Sequence, residues 1–359
     1  MATETPVQPP PAPLSAPKPR GAAVRGFISK WGLWCLLAAL PVYYAITDLT
    51  GGHGLTRLVQ NIVNGVSNGS IWVLIAVGYT LVYGIIELIN FANGEVFMIG
   101  SFTSAALIGT LGLTLTTGPL GLVAGLLVIL VLSMAASGSL NVMIEKVGYR
   151  PLRNAPKLAP LITAVGFSFI LQNVGLLWLG GSPASVPDLI HAQQTVFTIL
   201  GVTVQRADIL AIGVTVPLVI GAVLFIGRSR LGKAMRATAQ DPDAARLMGI
   251  NVDTTISLTF LIGGMLAGAA GLIYALYQTT IWYFQGFQAG LIAFTAAVMG
   301  GIGNLKGAVL GGLIIGIIQQ ISDNRIGPEW TPAIVFAFLV LIMVFRPQGL
   351  LGEETREAG

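Results

Sequence analysis

One polar, basic segment separates two apolar runs in the second half of the chain: Gly227-Arg-Ser-Arg-Leu-Gly-Lys-Ala-Met-Arg-Ala-Thr-Ala-Gln-Asp-Pro-Asp-Ala-Ala-Arg-Leu-Met-Gly-Ile-Asn251. Within it, Asp241, Pro242 and Asp243 follow the order of an N-cap, a proline at the first helical position and an acid in the first turn. The order predicts a short helix that runs from Pro242 to about Met248 and is ended by Gly249.

The surface of this predicted helix is small and apolar, with Ala244, Ala245, Leu247 and Met248. Small side chains lose little conformational entropy and allow close approach, so the surface suits a groove on another protein. The alternative from the residues alone is an amphipathic helix that lies on lipid head groups.

The composition places the chain among membrane proteins that cross the bilayer many times. Mean hydropathy is +0.80, and only 9% of the 359 residues are charged, against about 25% in soluble domains. The 46 glycines fit helices that pack closely in lipid. A net charge of +4, with the basic residues grouped at the ends of apolar runs, does not indicate nucleic-acid binding.

Apolar runs long enough to cross a bilayer predict an all-α bundle of about ten spans (8–10), some of them broken or re-entrant. The runs lie near 31–47, 58–87, 95–113, 119–140, 158–180, 207–227, 256–279, 288–303, 305–322 and 331–346. The basic residues of loops 141–157 and 228–255 place those loops in the cytoplasm. The transmembrane domain is expected to cover 31–352.

Both chain ends are expected in the cytoplasm. Residues 1–30 hold more than a third of the 19 prolines together with basic residues, which predicts a disordered tail. Residues 353–359 form the second tail. The run 31–47 has the aromatic residues of a retained span, with a cleaved signal peptide as the alternative. The glycine-rich region 286–316 permits either two full spans or a re-entrant hairpin.

The run 58–87 contains polar residues that lipid would leave unsatisfied. Asn61, Asn64, Asn68, Gly69 and Ser70 interrupt it, which predicts a broken span whose polar groups line a substrate path. The alternative is that the side chains of Asn64, Asn68 and Ser70 only form hydrogen bonds between helices.

A second polar group follows directly, with Glu87, Asn90, Asn93 and Glu95 at the junction of two spans. Two carboxylates can perform acid–base chemistry, but a nucleophile, base or metal must lie within reach, and none is evident. One cysteine and two histidines cannot build a multi-ligand zinc site. We therefore expect a substrate path here, with no catalytic residue, no metal and no cofactor.

Residues Gly227 to Lys233 fit the spacing of a phosphate-binding loop, G-x-x-x-x-G-K. The next residue is Ala234, where a hydroxyl is needed to hold magnesium, and an apolar span precedes the segment instead of a buried strand. The chain is therefore not expected to bind nucleotide, and an energised transporter would need separate ATPase subunits.

Several of these stretches resemble one family in the same order along the chain. Asp243-Ala-Ala with Gly249 is similar to the E-A-A, x3, G coupling signature of permease subunits of ABC importers. Asn90-Phe-Ala-Asn-Gly-Glu95 resembles the N-F-A-H-G-E motif of LivH-type branched-chain amino acid permeases, with Asn93 in place of the histidine. The stretches Phe294–Gly316 and Val344–Gly352 resemble further motifs of that family.

The resemblance implies a permease subunit in the inner membrane that moves leucine, isoleucine and valine by alternating access. It implies a LivM-like second permease subunit, two LivG/LivF-like ATPase subunits and a periplasmic substrate-binding protein as partners. The residues of the coupling helix would be Asp241, Pro242, Asp243, Ala244, Ala245 and Gly249. Uptake of urea, short amides or other amino acids by the same fold remains open, as does an ion-coupled secondary carrier.

Overall fold

The structure is a computed structural model that describes residues 56–352, except 154, 157 and 200, together with Val42, Tyr43 and Ile46. The predicted tails 1–30 and 353–359 lie outside the described residues, and so does nearly all of the first apolar run. Eleven α-helices fall within the described part: α1 (Thr56–Ile86), α2 (Asn93–Thr110), α3 (Pro119–Ile144), α4 (Leu158–Leu179), α5 (Arg206–Arg228), α6 (Arg230–Gln240), α7 (Pro242–Leu247), α8 (Val252–Gln278), α9 (Gln285–Gly300), α10 (Leu305–Arg325) and α11 (Thr331–Phe345).

Six of these helices are long and apolar enough to cross a membrane, namely α1, α3, α4, α5, α8 and α10. In the most apolar windows of α1 and α8, 78% and 72% of the residues are buried, against 17% for α3. The bundle is therefore built around α1 and α8, and the apolar outer helices leave their side chains for lipid. A helical membrane protein is confirmed, whereas the predicted total of about ten spans is not.

The predicted break in the second apolar run is wrong, because α1 is one continuous helix from Thr56 to Ile86. Its glycines mark close packing instead. A Cβ built on Gly316 of α10 would lie 2.3 Å from the Cα of Gly69, and one built on Gly312 would lie 2.6 Å from a side-chain carbon of Val73. Small residues let the two backbones approach, as is typical of helix pairs in lipid.

Helices α9 and α10 form a hairpin that runs the depth of α1. Its turn contains Gly301 at φ 108°, a conformation that favours glycine. At one end of the pair Gly84 lies close to Gly303, and at the other Asn324 Nδ2 donates to Asn61 Oδ1 at 2.7 Å. Helix α10 therefore packs along most of the length of α1.

Two small sheets accompany the helices in the described part of the chain. Strand β1 (Ala184–Ser185) pairs with β4 (Thr280–Ile281), and β2 (Thr195–Ile199) pairs with β3 (Val202–Gln205), both antiparallel. The β2–β3 hairpin is rich in threonine and valine and turns at Gly201, whose φ is 83°. These strands lie on the outer side of the bundle, which we define as the side opposite α6 and α7.

The predicted cytoplasmic loop 228–255 is itself helical. Ser229 ends α5 and caps α6, since its Oγ accepts from the backbone N–H of Gly232 at 2.9 Å. The phosphate-loop spacing thus lies across a junction of two helices, as its apolar context predicted. Helix α7 follows α6 directly, and together they form the inner side of the bundle.

Candidate functional site

Glu95 is the centre of the candidate substrate site. It stands in the first turn of α2, and its side chain is 0% exposed. Two side chains from α4 reach it: Ser168 Oγ donates to Glu95 Oε1 at 3.1 Å, and Gln172 Nε2 donates to the same oxygen at 3.0 Å. The two donors lie one helical turn apart on α4, which therefore meets the bundle through this carboxylate.

The second oxygen of this carboxylate has no hydrogen-bond partner among the described residues. The absence of a side chain at Gly286 on α9 makes room for it, because a Cβ there would lie 2.1 Å from Glu95 Oε2. Asn93, two residues earlier, also has both amide atoms buried without a partner in the described part of the chain. Buried polar groups normally find partners, and those that do not, within a membrane bundle, indicate a functional site.

The structure divides the predicted polar stretch into two sets. Glu95 forms the buried site with Ser168 and Gln172, and Asn93 is buried beside Gly78 of α1, whereas Asn90 belongs to a structural network. Asn90 Nδ2 donates to Asn141 Oδ1 at 3.0 Å, and Asn141 Nδ2 donates to the carbonyl of Phe260 at 2.7 Å. Glu87 is exposed in the loop after α1 at φ 52° and is not brought to the Glu95 site.

The polar residues of α1 are mostly satisfied within the bundle. Asn64 Oδ1 accepts from Gln60 at 2.7 Å, and Ser70 Oγ donates to the carbonyl of Val66 at 2.9 Å. Asn68 and Thr80 are the exceptions, since Asn68 Oδ1 and Thr80 Oγ1 are buried and unpaired within the described residues. Hydrogen bonding within the bundle accounts for Asn64 and Ser70, and Asn68 remains available to a ligand.

Three cavities follow one another from the outer to the inner side. A large outer cavity, of about 430 Å³, is lined partly by Phe287 and Leu291 of α9. The same two residues line a small central cavity, of about 50 Å³, which also contacts Tyr79 and Ser168 beside Glu95. An inner cavity has a volume of about 410 Å³ and is lined partly by Thr80, which follows Tyr79 in α1. The smallest of the three thus lies beside Ser168, whose hydroxyl group donates to Glu95.

Helix α7 confirms the predicted cap. Asp241 Oδ1 accepts from the backbone N–H of Asp243 at 2.9 Å and of Ala244 at 3.0 Å. The helix ends at Leu247, and Gly249 follows at φ 82°.

The structure exposes only part of the predicted apolar surface of α7. Ala245 is 4% exposed and packs against its own chain, so it cannot lie on a docking surface. Leu247 is 89% exposed and Met248 is 83% exposed. Exposing apolar side chains of this size to water is unfavourable, and Ala244, Leu247 and Met248 together form an exposed apolar surface.

The sequence interpretation missed an ionic cluster on the inner side. Arg153 pairs with the fully buried Glu145, and Ser257 Oγ donates to Glu145 Oε2 at 2.6 Å. Arg150 and Arg153 also pair with Asp253 of α8, at 2.6 and 2.5 Å. The sequence did contain a signal for this cluster: Glu145 follows the apolar run 119–140, and Arg153 stands eight residues later.

Comparison with known proteins identifies the family. A sequence model of the family described as "Branched-chain amino acid transport system / permease component" matches residues 61–344. No solved structure matches the chain significantly.

Among curated relatives, the high-affinity branched-chain amino acid transport system permease protein BraD of Pseudomonas aeruginosa is 42% identical over 298 residues, 82% of this chain and 95% of BraD. LivH of Escherichia coli K12, of the same description, is 42% identical over 300 residues, with the same coverage. A probable LivH of Methanocaldococcus jannaschii is 28% identical over 298 residues, 79% of this chain and 90% of that relative. The chain therefore belongs to the family of permease components of branched-chain amino acid transport systems, and it is not itself an enzyme.

Proposed function

We propose that this chain is the membrane-spanning subunit that moves leucine, isoleucine and valine across the inner membrane by alternating access. Relatives at 41–42% identity carry the name of high-affinity branched-chain amino acid permeases, which supports this choice of substrate. The energy comes from ATP hydrolysed in separate subunits, and no cofactor is needed.

The observation that carries the proposal is the capped helix α7 on the inner side, with two large apolar side chains almost fully exposed. Its fixed start at Asp241-Pro242, its small Ala244 and the turn at Gly249 suit a groove on an ATPase subunit. Asp243 pairs with Arg246 on the same helix and keeps its polar side in water. Movement of the ATPase pair would then reach α8, which begins three residues after the turn.

The proposed assembly has a LivM-like second permease subunit, two LivG/LivF-like ATPase subunits and a periplasmic binding protein that delivers the amino acid. The lipid-facing apolar surfaces of α3, α4 and α5 suit a membrane, and nucleic acid has no part in the proposal. Besides the six long helices, we propose that α2, α9, α11 and the run 31–47 also cross, which gives ten spans with 1–30 and 353–359 in the cytoplasm.

The substrate path is proposed to pass Glu95, Asn93 and Asn68, whose unpaired buried atoms offer partners to a zwitterion. A carboxylate such as Glu95 recognises an ammonium group through a charge-assisted hydrogen bond. Alternating access would widen the small central cavity beside Ser168 and Tyr79.

Reconstitution tests the proposal. The chain is purified with its partner subunits and placed in lipid vesicles with the binding protein, and uptake of labelled leucine is measured with and without ATP. We expect uptake that requires ATP and is competed by isoleucine and valine. Uptake of urea or acetamide in preference to leucine would reassign the substrate, and ATP-independent uptake driven by an ion gradient would indicate a secondary carrier.

A further inference from the structure

The outer cavity combines an apolar wall with a polar end. Helices α9, α10 and α11 enclose it, and its volume is about 430 Å³, within the range typical of small-molecule sites. Phe284, Phe287 and Phe336 form the apolar wall, and Gln288, Gln319 and Asp323 supply polar groups.

Asp323 is held in position by its neighbours. Thr331 Oγ1 donates to Asp323 Oδ1, and Gln319 also forms a hydrogen bond with the carboxylate. Gln319 is oriented in turn by Trp72 of α1, whose Nε1 donates to Gln319 Oε1 at 2.7 Å. The carboxylate therefore faces the cavity from a fixed place, since both neighbours are anchored to the bundle.

We propose that this cavity is an outer binding site for a zwitterionic α-amino acid with an aliphatic side chain, in which Asp323 binds the ammonium group. The Gln288 amide can donate to the ligand carboxylate, and the phenylalanine wall removes the aliphatic side chain from water. The inference rests on the proposed transport function and adds a recognition site to it.

The position of the cavity supports this role. Phe287 and Leu291 line both this cavity and the central one beside Ser168, so the two are neighbours across the α9 side chains. A ligand that leaves Asp323 would thus meet the buried Glu95 next, after Phe287 and Leu291 move aside. With Asp323 and then Glu95 along the path, an ammonium group would not have to cross a long apolar stretch without a charge partner.

Substrate protection of a single cysteine tests the site directly. Cys35 is the only cysteine in the chain, so Cys35→Ser with Pro328→Cys places one thiol at the exposed edge of the cavity, at a lining residue with no proposed contact to the ligand. In the reconstituted transporter, without the binding protein, leucine should slow maleimide labelling of this subunit. 4-Methylpentanoate, which lacks the ammonium group, should protect much less. Adding Asp323→Asn should raise the leucine concentration for half-protection at least about tenfold.

Glu329→Gln is the matched control, since Glu329 is an exposed acid on the same side that does not line the cavity. It should leave protection by leucine unchanged. The proposal is overturned if leucine does not slow labelling in vesicles that transport leucine. It is also overturned if leucine protects the thiol equally well in the Asp323→Asn and Glu329→Gln variants. Leucine uptake by the same vesicles tests the proposed function separately, so the two failures are distinguishable.

Discussion

Asp253 Oδ2 lies 2.6 Å from Arg150 Nη2, which ties the first turn of α8 to the segment that follows α3. Arg153 extends the contact inward, because it pairs with Asp253 and also with Glu145, which is fully buried. The cluster therefore has an exposed end and a buried end, and the two ends are expected to differ in their effect on stability.

Glu145→Gln should destabilise the protein by about 3 kcal/mol, because it removes the buried charge partner of the largely buried Arg153, which then keeps only the partly exposed Asp253. Asp253→Asn should cost less than about 1 kcal/mol, since its ion pairs are partly screened by solvent. Thermal unfolding of the purified transporter in detergent measures both. Equal shifts in the unfolding midpoint would show that burial does not distinguish the two acids.

Gly316→Ala should destabilise the α1–α10 contact. Its added methyl group would lie 2.3 Å from the Cα of Gly69 and 2.4 Å from the carbonyl oxygen of Gly65, so the helices must separate at a cost of about 1–3 kcal/mol. The unfolding midpoint should fall.

Gly221→Ala is the control for this change, because nothing lies within 4 Å of its built Cβ on α5. Alanine there should stabilise the helix by about 0.5–1 kcal/mol through its lower conformational entropy. A similar response of both variants would mean that helix propensity, not the close approach of α1 and α10, decides the outcome.

Local signals in the sequence were sufficient for α7. Its N-cap and its terminating glycine act through neighbouring residues, so Asp241 and Gly249 predicted the bounds to within one residue. The orientation of the helix depends on packing against distant parts of the chain. Ala244 and Ala245 have the same chemistry in sequence, and only the fold shows that Ala245 is buried and Ala244 exposed.

The prediction of a break in α1 was wrong for the same physical reason, because the outcome depends on packing against a distant part of the chain. Asparagine and glycine in an apolar run are compatible either with an interrupted helix or with a continuous one that meets a close partner. The partner of Gly69 is Gly316, more than 200 residues later in the chain, so local periodicity could not choose between them. At the candidate site, sequence identified Glu95 and Asn93, but the donors Ser168 and Gln172 came only with the fold.

Glu95→Gln should reduce leucine uptake by more than about tenfold while the subunits still assemble. Glutamine keeps the size of the side chain but removes the charge that would pair with an ammonium group, a contact that contributes about 1.5–3 kcal/mol. Initial rates of ATP-dependent uptake in vesicles measure the loss. Glu87→Gln makes the same change at an exposed residue of the adjacent loop, and it should transport normally. Normal uptake by Glu95→Gln would remove this carboxylate from the path.

Leu247→Asp should separate the chain from its ATPase subunits. Leu247 is 89% exposed in the isolated chain, and burying a leucine in a partner contributes about 1.5–3 kcal/mol, which an aspartate would forfeit. Ala244→Trp should act in the same direction by overfilling the groove, whereas Ala245→Trp would overpack the chain itself and cannot test docking. Copurification of the ATPase subunits and leucine-stimulated ATP hydrolysis measure the effect.

Leu115→Asp is the matched control for Leu247→Asp, because Leu115 is 62% exposed in the loop between α2 and α3 on the outer side. It introduces the same charge at a similarly exposed leucine that cannot meet a cytoplasmic subunit. Copurification and stimulated hydrolysis should therefore stay at the level of the unmodified protein. If Leu247→Asp also keeps both, α7 does not couple this chain to the ATPase, and the segment Lys146 to Leu152 on the same side becomes the surface to test.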